Sequence, residues 1–455
     1  MEYDILILGG GPGGYVAALR AATLGAKVGL IEKEALGGTC LNRGCIPTKT
    51  LLNTVHILET IKKAPALGIE VEGSPEIDVE KLRERKEGVV ARLRSGVENL
   101  LQARKVDIIQ GVGQVLNKNE ILVDERNLMA DKLILATGSV PARLPIEGFA
   151  EGRENGLVIT SREALELKEI PEKMVIIGGG VVGVEMAAIY AGLGSEVTVV
   201  EQLPGLVPGF SKDIGMTLEE NLNRNGIKVY TGAGVTALEE NIVMVETDEG
   251  DLSFECDKVL EAVGRIPNLH GIGKLPLKMN GRAIWTDDYC QTSIPGVYAI
   301  GDLNGKALLA HVAMEEGIVA AENIAGARRK MSYLAVPGCI YTRPEIAVVG
   351  LSEEVAREKG YEVVVGRSSL TSNGKALAGG ENTGWVKVIA EKEFGQVIGM
   401  EIVASKATEM IMEGVLARKM EMTADELEEC IHPHPGLSEA IMEAVLSLQG
   451  KPLHG

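Results

Sequence analysis

The sequence is short of aromatic residues and of positive charge, and both shortages argue against a nucleic-acid partner. Aromatic residues make up only 3% of the 455 residues, and no basic stripe interleaved with aromatics occurs. The formal net charge of −18 repels nucleic acid and favours solubility. We therefore expect no nucleic acid among the partners of this protein.

We also expect no targeting segment at the start of this sequence. It opens Met-Glu-Tyr-Asp, which is acidic where a secretory signal is basic. Residues 174–194 carry Glu185 as their only charge and are numerous enough to span a bilayer. Their glycines, however, favour a strand followed by a turn and a helix. We expect a cytoplasmic protein without a membrane span.

Cysteine is scarce, with six residues in the whole chain. A large chain without a secretory signal is not expected to carry a structural disulfide framework. Only Cys40 and Cys45 are close in sequence, and no four ligands stand at zinc spacing, so we expect no metal site. The others are interpreted as small buried apolar side chains: Cys256, Cys290, Cys339 and Cys430.

Glycine, by contrast, is abundant, with 56 residues, and two glycine-rich segments repeat. The segments are ILILGGGPGG (residues 5–14) and VIIGGGVVG (residues 175–183), whose glycines match at a constant offset. The same offset maps LGAKVGLIE (residues 24–32) onto LGSEVTVVE (residues 193–201). Each copy predicts a strand, a glycine turn, a helix, and a second strand that closes with an acidic residue.

Each glycine turn has the spacing that a dinucleotide requires. The first glycine permits a tight turn, the second lets the backbone approach a pyrophosphate, and the third lets the helix pack closely on the strand. The helix N-terminus offers unpaired N–H groups to the phosphates, and the acid can accept the ribose hydroxyls. The predicted residues are Gly9, Gly11, Gly14 and Glu32 in the first copy, and Gly178, Gly180, Gly183 and Glu201 in the second.

A second repeat indicates that one dinucleotide unit is inserted into the other. DKLILATGSVP (residues 131–141) is echoed by DKVLEAVGRIP (residues 257–267), so each unit closes with a strand and a glycine. The later strand GVYAIGD (residues 296–302) then returns to the sheet of the first unit. We predict an α/β fold with two Rossmann-like dinucleotide-binding domains, the second inserted in the first, plus a C-terminal α+β domain. The expected segments are 1–145, 146–267, 268–336 and 337–455.

The two neighbouring cysteines lie in the segment GGTCLNRGCIPTK (residues 37–49). Pro47 and the residues after it predict a helix start, which places Cys45 at a helix N-terminus where the dipole stabilises a thiolate. A glycine-containing loop between the cysteines would let Cys40 fold back onto Cys45 as a small, reducible disulfide. The alternative is a pair of buried free cysteines.

This segment resembles the redox motif of the pyridine nucleotide-disulfide oxidoreductases, and the resemblance extends from residue 1 to about residue 448. Within that family the chain is most similar to the dihydrolipoamide dehydrogenase group. The resemblance implies FAD and NAD as cofactors, a C-terminal dimerisation domain and a homodimer. It also implies a lipoyl-bearing protein as partner, either a 2-oxo acid dehydrogenase acyltransferase component or a glycine-cleavage lipoyl carrier.

The resemblance assigns residues to both cofactors. Lys49 would lie near the flavin nitrogen that takes hydride, and Glu185 would keep Lys49 charged and oriented. A helix opening at LLAH (residues 308–311) would face the flavin pyrimidine ring, with Val312 standing where many relatives carry lysine. The FAD residues are Gly9, Gly11, Gly14, Glu32, Lys49, Gly113, Thr137, Gly138, Ser139, Asp302, Leu308, Ala310 and His311. The NAD residues are Gly178, Gly180, Gly183, Glu185, Glu201, Val235 and Gly264.

The segment HPHPGLSE (residues 432–439) resembles the histidine motif of the same family. His434 would be the acid and base for the thiol substrate, and Glu439 would orient it. Pro433 and Gly436 depart from the usual alanine and threonine. The alternative is a proline-bounded loop with surface histidines. The other histidines are interpreted as structural or surface residues: His56, His270, His432 and His454.

The implied reaction is the oxidation of dihydrolipoamide to lipoamide with reduction of NAD to NADH, through a Cys40–Cys45 disulfide and FAD. His434 is nearly four hundred residues from the cysteines, and the resemblance implies that a two-fold axis brings it to the cysteines of the other subunit. Residues 404–420 and 438–448 are expected to offer apolar faces to the interface. The alternative is that the C-terminal domain folds back on its own cysteines.

Two other functions stay open. A glutathione- or mercuric-reductase-like enzyme would use NAD(P)H to reduce another disulfide. Against it, the ending KPLHG has no cysteine pair, and EQLP (residues 201–204) has no arginine for a 2′-phosphate before Arg224. A non-catalytic flavoprotein scaffold would tolerate the loss of the cysteines. The sequence decides neither the lipoyl carrier nor the physiological direction.

Overall fold

The computed structural model describes residues 2–454, so Met1 and Gly455, the outermost residues of the expected segments, lie outside the described residues. The chain first forms a parallel sheet with an antiparallel extension, in the order β3-β2-β1-β6-β5-β4. Its strands are β1 (Tyr3–Leu8), β2 (Val28–Glu32), β3 (Asp107–Gln110), β4 (Gly113–Asn117), β5 (Glu120–Val123) and β6 (Arg126–Leu135), followed by the short β7 (Ser139–Pro141). Its helices are α1 (Pro12–Thr23), α2 (Gly38–Arg43), α3 (Cys45–Lys63) and α4 (Val79–Ala103), with a 3₁₀ turn at Ala64–Leu67.

The second unit repeats this plan as a parallel sheet in the order β11-β10-β9-β15-β8, with a three-stranded antiparallel sheet β12-β13-β14 beside it. Its strands are β8 (Val158–Thr160), β9 (Lys173–Ile177), β10 (Glu196–Glu201), β11 (Lys228–Thr231), β12 (Gly234–Glu239), β13 (Ile242–Thr247), β14 (Gly250–Glu255), β15 (Lys258–Glu261) and β16 (Arg265–Pro267). Its helices are α5 (Phe149–Glu154), α6 (Ser161–Ala164), α7 (Val181–Leu193) and α8 (Lys212–Arg224). The repeated segments meet where β16 pairs with β7, Ile266 opposite Val140.

The chain then returns to the first sheet. It forms β17 (Met279–Asn280), β18 (Ala283–Ile284) and β19 (Val297–Ala299), a 3₁₀ turn at Gly301–Asn304, and α9 (Ala310–Ile324). β19 pairs in parallel with β6, Tyr298 opposite Ile134, and α9 packs on α1. The predicted fold class, with the second unit inserted in the first, is therefore confirmed. The positions of the segment boundaries stay a prediction.

The C-terminal part is a five-stranded antiparallel sheet, β20-β21-β24-β23-β22, covered by helices. Its strands are β20 (Gly338–Ile340), β21 (Glu345–Gly350), β22 (Val363–Ser369), β23 (Trp385–Glu391) and β24 (Val397–Ala404). Its helices are α10 (Glu353–Glu358), α11 (Gly374–Ala378), α12 (Ala407–Lys419), α13 (Ala424–Glu428) and α14 (Glu439–Leu448), with a 3₁₀ turn at Leu370–Ser372. Lys387 on β23 is fully buried, with its Nζ 2.7 Å from Asp213 of α8 and 2.8 Å from Glu401 of β24, so an ion pair ties this sheet to the second unit.

The expectation of two exposed apolar helix faces is correct for one helix and wrong for the other. On α12, which begins three residues later than expected because Ala404 belongs to β24, Met412 and Leu416 are exposed. α14 instead buries Ile441 and Val445 against β22 and β23 of its own chain. Both helices pack on the same sheet, α12 on β21 and β24 and α14 on β22 and β23, but only α12 keeps large apolar side chains exposed.

Residues 174–194 do not form one continuous helix. They are divided between β9 and α7, with the glycine turn between them. Within residues 2–454, no helix combines the length and the apolar character needed to cross a bilayer.

Candidate active site

The cysteine pair lies at the junction of two helices. Cys40 is in the middle of α2 and Cys45 is the first residue of α3, with the helix break at Gly44. The expected loop between the cysteines is therefore wrong in detail, since three of the four residues between them belong to the short helix Gly38–Arg43 and only Gly44 lies outside a helix. Both cysteines are free thiols in this structure; Cys40 is half-buried and Cys45 is exposed.

The two thiols differ in acidity. The hydrogen bond from the Cys40 thiol, followed by the charge of Lys49, lowers the pKa of Cys45 to about 7. The same hydrogen bond to Cys45, together with burial, raises the pKa of Cys40. Cys45 is thus the thiol of the pair that ionises first, and Cys40 stays protonated as its hydrogen-bond donor. This division suits a thiol pair that exchanges with an external dithiol.

Lys49 lies one turn of α3 beyond Cys45 and forms an ion pair that crosses between the two units. Its Nζ donates to both carboxylate oxygens of Glu185 on α7, at 3.0 and 2.7 Å. Glu185 keeps only 4% of its side chain exposed, and its Oε1 also accepts the backbone N–H of Tyr341 at 3.0 Å. The ring centroid of Tyr341 lies 4.4 Å from Lys49 Nζ. Lys49 is thus held between a buried carboxylate and an aromatic face.

The first glycine turn has the geometry of a phosphate cradle. Gly9 has a φ of +109°, and a Cβ on Gly14 would lie 1.8 Å from the carbonyl oxygen of Gly9. A Cβ on Gly11 would meet only Gly38 Cα, at 3.9 Å. No side chain caps the N-terminus of α1 at Gly11. The helix N–H groups therefore face space that a pyrophosphate fits.

The second glycine turn has the same geometry. Gly178 has a φ of +108°, a Cβ on Gly183 would lie 2.0 Å from the carbonyl oxygen of Gly178, and a Cβ on Gly180 would meet no atom within 4 Å. The N-terminus of α7 at Gly180 again has no side-chain cap. The residues of both turns therefore fit dinucleotide phosphates.

The acid that follows each turn makes the same two contacts. Glu32 accepts the N–H groups of Gly10 and Glu34, each at 2.8 Å. Glu201 accepts those of Gly179 at 2.6 Å and Leu203 at 2.8 Å. Since a carboxylate has about four acceptor sites, each acid keeps capacity for ribose hydroxyls.

Ser139 and Asp302, both predicted near FAD, contact each other directly. The Ser139 hydroxyl donates to Asp302 Oδ2. Arg265 of β16 donates to the hydroxyl oxygen and the carbonyl oxygen of Ser139, each at 2.7 Å. Thr137 donates from its hydroxyl to the carbonyl oxygen of Asn268 at 2.6 Å. Arg265 and Asn268, where the chain leaves the second unit, therefore hold residues 137–139 in place.

The other predicted cofactor residues are distributed around the two sheets. Leu308 is exposed, Ala310 begins α9, and His311 lies next to it with Nε2 3.1 Å from the Pro337 carbonyl oxygen. Val312, the departure from the family, is buried in the core between α9 and the first sheet. Gly113 begins β4 beneath Leu8 and Ile31, Val235 is half-buried on β12, and Gly264 has an open Cβ direction at a φ of +100°.

The predicted base is separate from the cysteines. His434 Nδ1 donates to Glu439 Oε1 at 2.9 Å, and 81% of the His434 side chain is exposed. Glu439 also accepts the backbone N–H of Gly436 at 2.8 Å, and this bond, followed by that from His434, keeps the pKa of Glu439 below its usual value. Among the described residues, the hydrogen bonds of the His434 side chain reach Glu439 alone.

Sequence reasoning missed three side chains that organise these sites. Arg265 stood in the repeated segment and could have been identified from it, because its counterpart there is the assigned Ser139. Tyr341 and the fully buried Glu316 carry no motif. Glu316 accepts the N–H of Gly301 at 2.6 Å and the side-chain amide of Asn304 at 2.9 Å, which fixes the turn that presents Asp302.

Two dinucleotide cradles and a pair of thiols with different pKa values are typical of a dinucleotide-dependent thiol–disulfide oxidoreductase. Residues 3–317 match the family described as pyridine nucleotide-disulphide oxidoreductase, and residues 336–445 match the dimerisation domain of that family. The chain belongs to the pyridine nucleotide-disulphide oxidoreductase family.

Curated relatives and solved structures agree with this assignment. A dihydrolipoyl dehydrogenase of Thermus scotoductus is 41% identical, covering 99% of this chain and 98% of the relative. One of Bacillus subtilis is 39% identical, covering 100% of this chain and 99% of the relative. The crystal structure of LpdA from Mycobacterium tuberculosis has a TM-score of 0.88 at 28% identity, covering 98% and 99% of the two chains. The HOCl-induced flavoprotein disulfide reductase RclA from Escherichia coli has a TM-score of 0.86 at 27% identity, covering 97% and 99%.

Membership in the family confirms the predicted enzyme class and cofactors. The protein is a flavoprotein oxidoreductase that uses FAD and NAD(H). The match to a dimerisation domain supports the predicted homodimer.

Proposed function

We propose that this oxidoreductase oxidises protein-bound dihydrolipoamide to lipoamide and reduces NAD to NADH. The observation that carries the proposal is the thiol pair, in which Cys40 donates a hydrogen bond to a Cys45 whose pKa is lowered to about 7. A pair of this kind exchanges readily with a dithiol. Relatives named dihydrolipoyl dehydrogenase, 39–41% identical over nearly the whole chain, support dihydrolipoamide as that dithiol.

The thiol half of the reaction follows from the side chains. His434 takes the proton of one dihydrolipoyl thiol, while Glu439 accepts from its other ring nitrogen. The resulting thiolate attacks Sγ of Cys40 in the oxidised pair, and Cys45 leaves as a thiolate. The second substrate thiol then displaces Cys40, which takes up the proton of that thiol as it leaves. Lipoamide departs as a disulfide, and the pair keeps two electrons as the Cys40 thiol and the Cys45 thiolate, with the first proton on His434.

The cofactors would be held by the residues already described. FAD, when bound, supplies the route by which the electron pair passes as hydride to NAD. Lys49 carries a fixed positive charge beside Cys45, and Glu185 keeps it in place. The proposed FAD residues are those of the first turn with Glu32, Lys49, Gly113, Thr137, Gly138, Ser139, Asp302, Leu308, Ala310 and His311. The proposed NAD residues are those of the second turn with Glu185, Glu201, Val235 and Gly264.

The electrostatics around Glu201 favour NAD over NADP. Glu201 can accept a ribose 2′-hydroxyl, whereas a 2′-phosphate would meet a like charge. Arg224, the first arginine after Glu201, lies at the end of α8 and pairs with Glu220 at 3.3 Å. Loss of a hydrogen bond to a charged group removes about 1.5–3 kcal/mol, or about tenfold or more in affinity.

The proposal also includes a homodimer and a lipoyl-bearing partner protein. The exposure of His434 suits a base that serves the cysteines of the other subunit, across an interface that includes Met412 and Leu416 of α12. The names of the relatives support a lipoyl-bearing partner protein. A reactive thiol pair suits the reducing cytoplasm. The domain boundaries proposed are 1–145, 146–267, 268–336 and 337–455.

A steady-state comparison tests the function. Dihydrolipoamide, reduced glutathione and reduced thioredoxin are offered in turn with NAD and with NADP, using the FAD-loaded enzyme. We expect the highest kcat/KM for dihydrolipoamide with NAD. A higher value for glutathione, or comparable values for NAD and NADP, would contradict the proposal. Thiol titration with and without NADH checks the scaffold alternative, because a scaffold would release no additional thiols.

A further inference from the structure

His432 lies two residues before the proposed base and is buried, with 6% of its side chain exposed. Its Nε2 lies 2.7 Å from Glu413 Oε1 on α12, and its Nδ1 lies 3.0 Å from the carbonyl oxygen of Cys430. Of the two expected alternatives for this histidine, a structural or a surface residue, the structural one is correct. The side chain connects α12 to residues 430–436, which we call the base loop.

Both partners of His432 are hydrogen-bond acceptors. A carboxylate and a carbonyl oxygen accept but do not donate, and a neutral imidazole has only one N–H group. A neutral ring would therefore direct a nitrogen lone pair at one of these oxygens, whereas an imidazolium donates to both. The hydrogen bond from His432 to Glu413, together with the negative charge of Glu413, raises the pKa of His432 in agreement with this geometry.

The charges that face His432 come from two helices. Glu413 of α12 contacts it directly, and Glu439 at the start of α14 adds a second negative charge. The influence is mutual, because the positive charges of His434 and His432 both help to keep the pKa of Glu439 low, after the hydrogen bond from Gly436. His432 therefore acts on the carboxylate that orients His434.

We propose that His432 is a positioning residue: a buried imidazolium that fastens the base loop to α12 and keeps Glu439 ionised for His434. The inference rests on the proposed function of His434 as the base of the thiol half-reaction. His432 itself does not touch the substrate. Its contribution comes from two donated hydrogen bonds and one positive charge.

The pH dependence of this attachment has a definite sign. The folded-state pKa of His432 is raised above the unfolded value of about 6.5. Its contribution is therefore complete below about pH 6.5 and is lost as the pH rises through the folded-state pKa. The attachment of the base loop should accordingly weaken toward alkaline pH.

Four single variants of the FAD-loaded dimer separate the effect of the positive charge at residue 432 from the effect of the side-chain shape there. His432→Gln and Glu413→Gln remove the ion pair, whereas His432→Lys keeps a cation with three donors and no acceptor. His454→Gln is the matched control, because His454 also lies 2.7 Å from a glutamate, Glu443, but is largely exposed and distant in sequence from the base loop. All four are compared with wild type across pH.

We expect kcat/KM for dihydrolipoamide to fall about tenfold in His432→Gln and Glu413→Gln, because a charged hydrogen bond is lost. His432→Lys should restore most of the activity, and it should remove the alkaline loss assigned to His432. His454→Gln should match wild type. The proposal fails if His432→Gln retains full activity, or if folded His432→Lys loses as much as His432→Gln.

Nitrogen NMR of ¹⁵N-histidine-labelled wild-type enzyme gives a test that needs no substrate. We expect the ring of His432 to carry a proton on both nitrogens at neutral pH, which identifies it as the doubly protonated histidine whose signals disappear in His432→Gln. A single-N–H tautomer at this position would overturn the proposal even if every variant folds poorly. If the wild type does not oxidise dihydrolipoamide but keeps the doubly protonated ring, the proposed function fails and the charge state of His432 stands.

Discussion

The redox centre, formed by Cys40, Cys45, Lys49 and Glu185, differs from the base loop in how far its side chains are enclosed by the rest of the chain. At the redox centre, Cys45, Lys49 and Glu185 come from two interleaved units, and the Glu185 side chain is only 4% exposed. In the base loop, His434 is 81% exposed, and within residues 2–454 its side chain forms a hydrogen bond with Glu439 alone. The charges beside the cysteines are thus positioned by packing inside the chain, whereas the side chain of the proposed base is exposed.

The largest effect should come from removing either cysteine of the redox centre. Cys45→Ser and Cys40→Ser should each reduce dihydrolipoamide oxidation by about 10³-fold or more, because neither variant can form the disulfide. The cysteine that remains should behave differently in the two variants. In Cys40→Ser, the remaining Cys45 should alkylate rapidly at neutral pH and give a long-wavelength absorption band beside bound FAD. Cys45→Ser should bind FAD without that band, and the reverse pattern would exchange the roles of the two cysteines.

Loss of the base should come next in size. His434→Gln removes the group proposed to take the substrate proton, and general acid–base groups contribute about 10²–10⁴-fold. Reduction of an artificial acceptor by NADH measures the cofactor half alone and should be spared in this variant. Equal loss in both assays would place His434 in the redox centre and remove the contrast between the two regions.

Subunit mixing decides whether the base loop serves its own chain. Cys45→Ser and His434→Gln homodimers are each nearly inactive and are dissociated, mixed and re-associated. If the base acts across the two-fold axis, a mixed dimer keeps one complete site and activity partly returns. If each chain serves itself, every site retains a defect and the mixture stays inactive. Each homodimer treated alone is the control.

The dinucleotide turns could be read from the sequence because their geometry is local. The tight turn at Gly9 and the close packing of Gly14 are set within a few residues, and the second copy at Gly178 and Gly183 reproduces them. The insertion could also be anticipated, since the strand at residues 296–302 needed a sheet. Local spacing thus determined both the fold class and the cofactor cradles.

Features that depend on tertiary neighbours could not be read in this way. Both α12 and α14 pack on the C-terminal sheet, but Met412 and Leu416 of α12 stay exposed, whereas Ile441 and Val445 of α14 are buried. Glycines on both sides of GTCLNR suggested a loop, although the six residues complete a short helix, Gly38–Arg43. Tyr341 and Glu413 stand in no motif, and their contacts with Lys49 and His432 exist only after distant elements have packed.

A smaller effect should follow from removing the charge beside Cys45. Lys49→Met deletes one of the interactions that lower the Cys45 pKa to about 7, so the alkylation midpoint of the reduced enzyme should move to higher pH. The sign follows because loss of a nearby cation disfavours the thiolate. Lys392→Met, which removes an exposed lysine paired with Glu362, should leave the midpoint unchanged. An unchanged midpoint in Lys49→Met would mean that Cys40 alone sets the acidity of Cys45.

The smallest effect should come from the aromatic face on the other side of Lys49. Tyr341→Leu removes a ring whose centroid lies 4.4 Å from Nζ, and cation–π contacts at partly exposed sites contribute about 0.5–1 kcal/mol, or a few-fold in rate. The backbone N–H of residue 341 still reaches Glu185 in every variant, so the ion pair persists and only the contribution of the ring is measured. Tyr341→Phe keeps the ring and should behave as wild type, because burial raises the pKa of the Tyr341 hydroxyl to about 12 and the group stays neutral. The measurements are kcat with dihydrolipoamide and the Cys45 alkylation midpoint, which should shift in Tyr341→Leu in the same direction as in Lys49→Met but by less. An equal loss of kcat in Tyr341→Phe and Tyr341→Leu would show that the hydroxyl, and not the ring, is responsible. Lys49 would then be positioned by Glu185 without a contribution from the aromatic face.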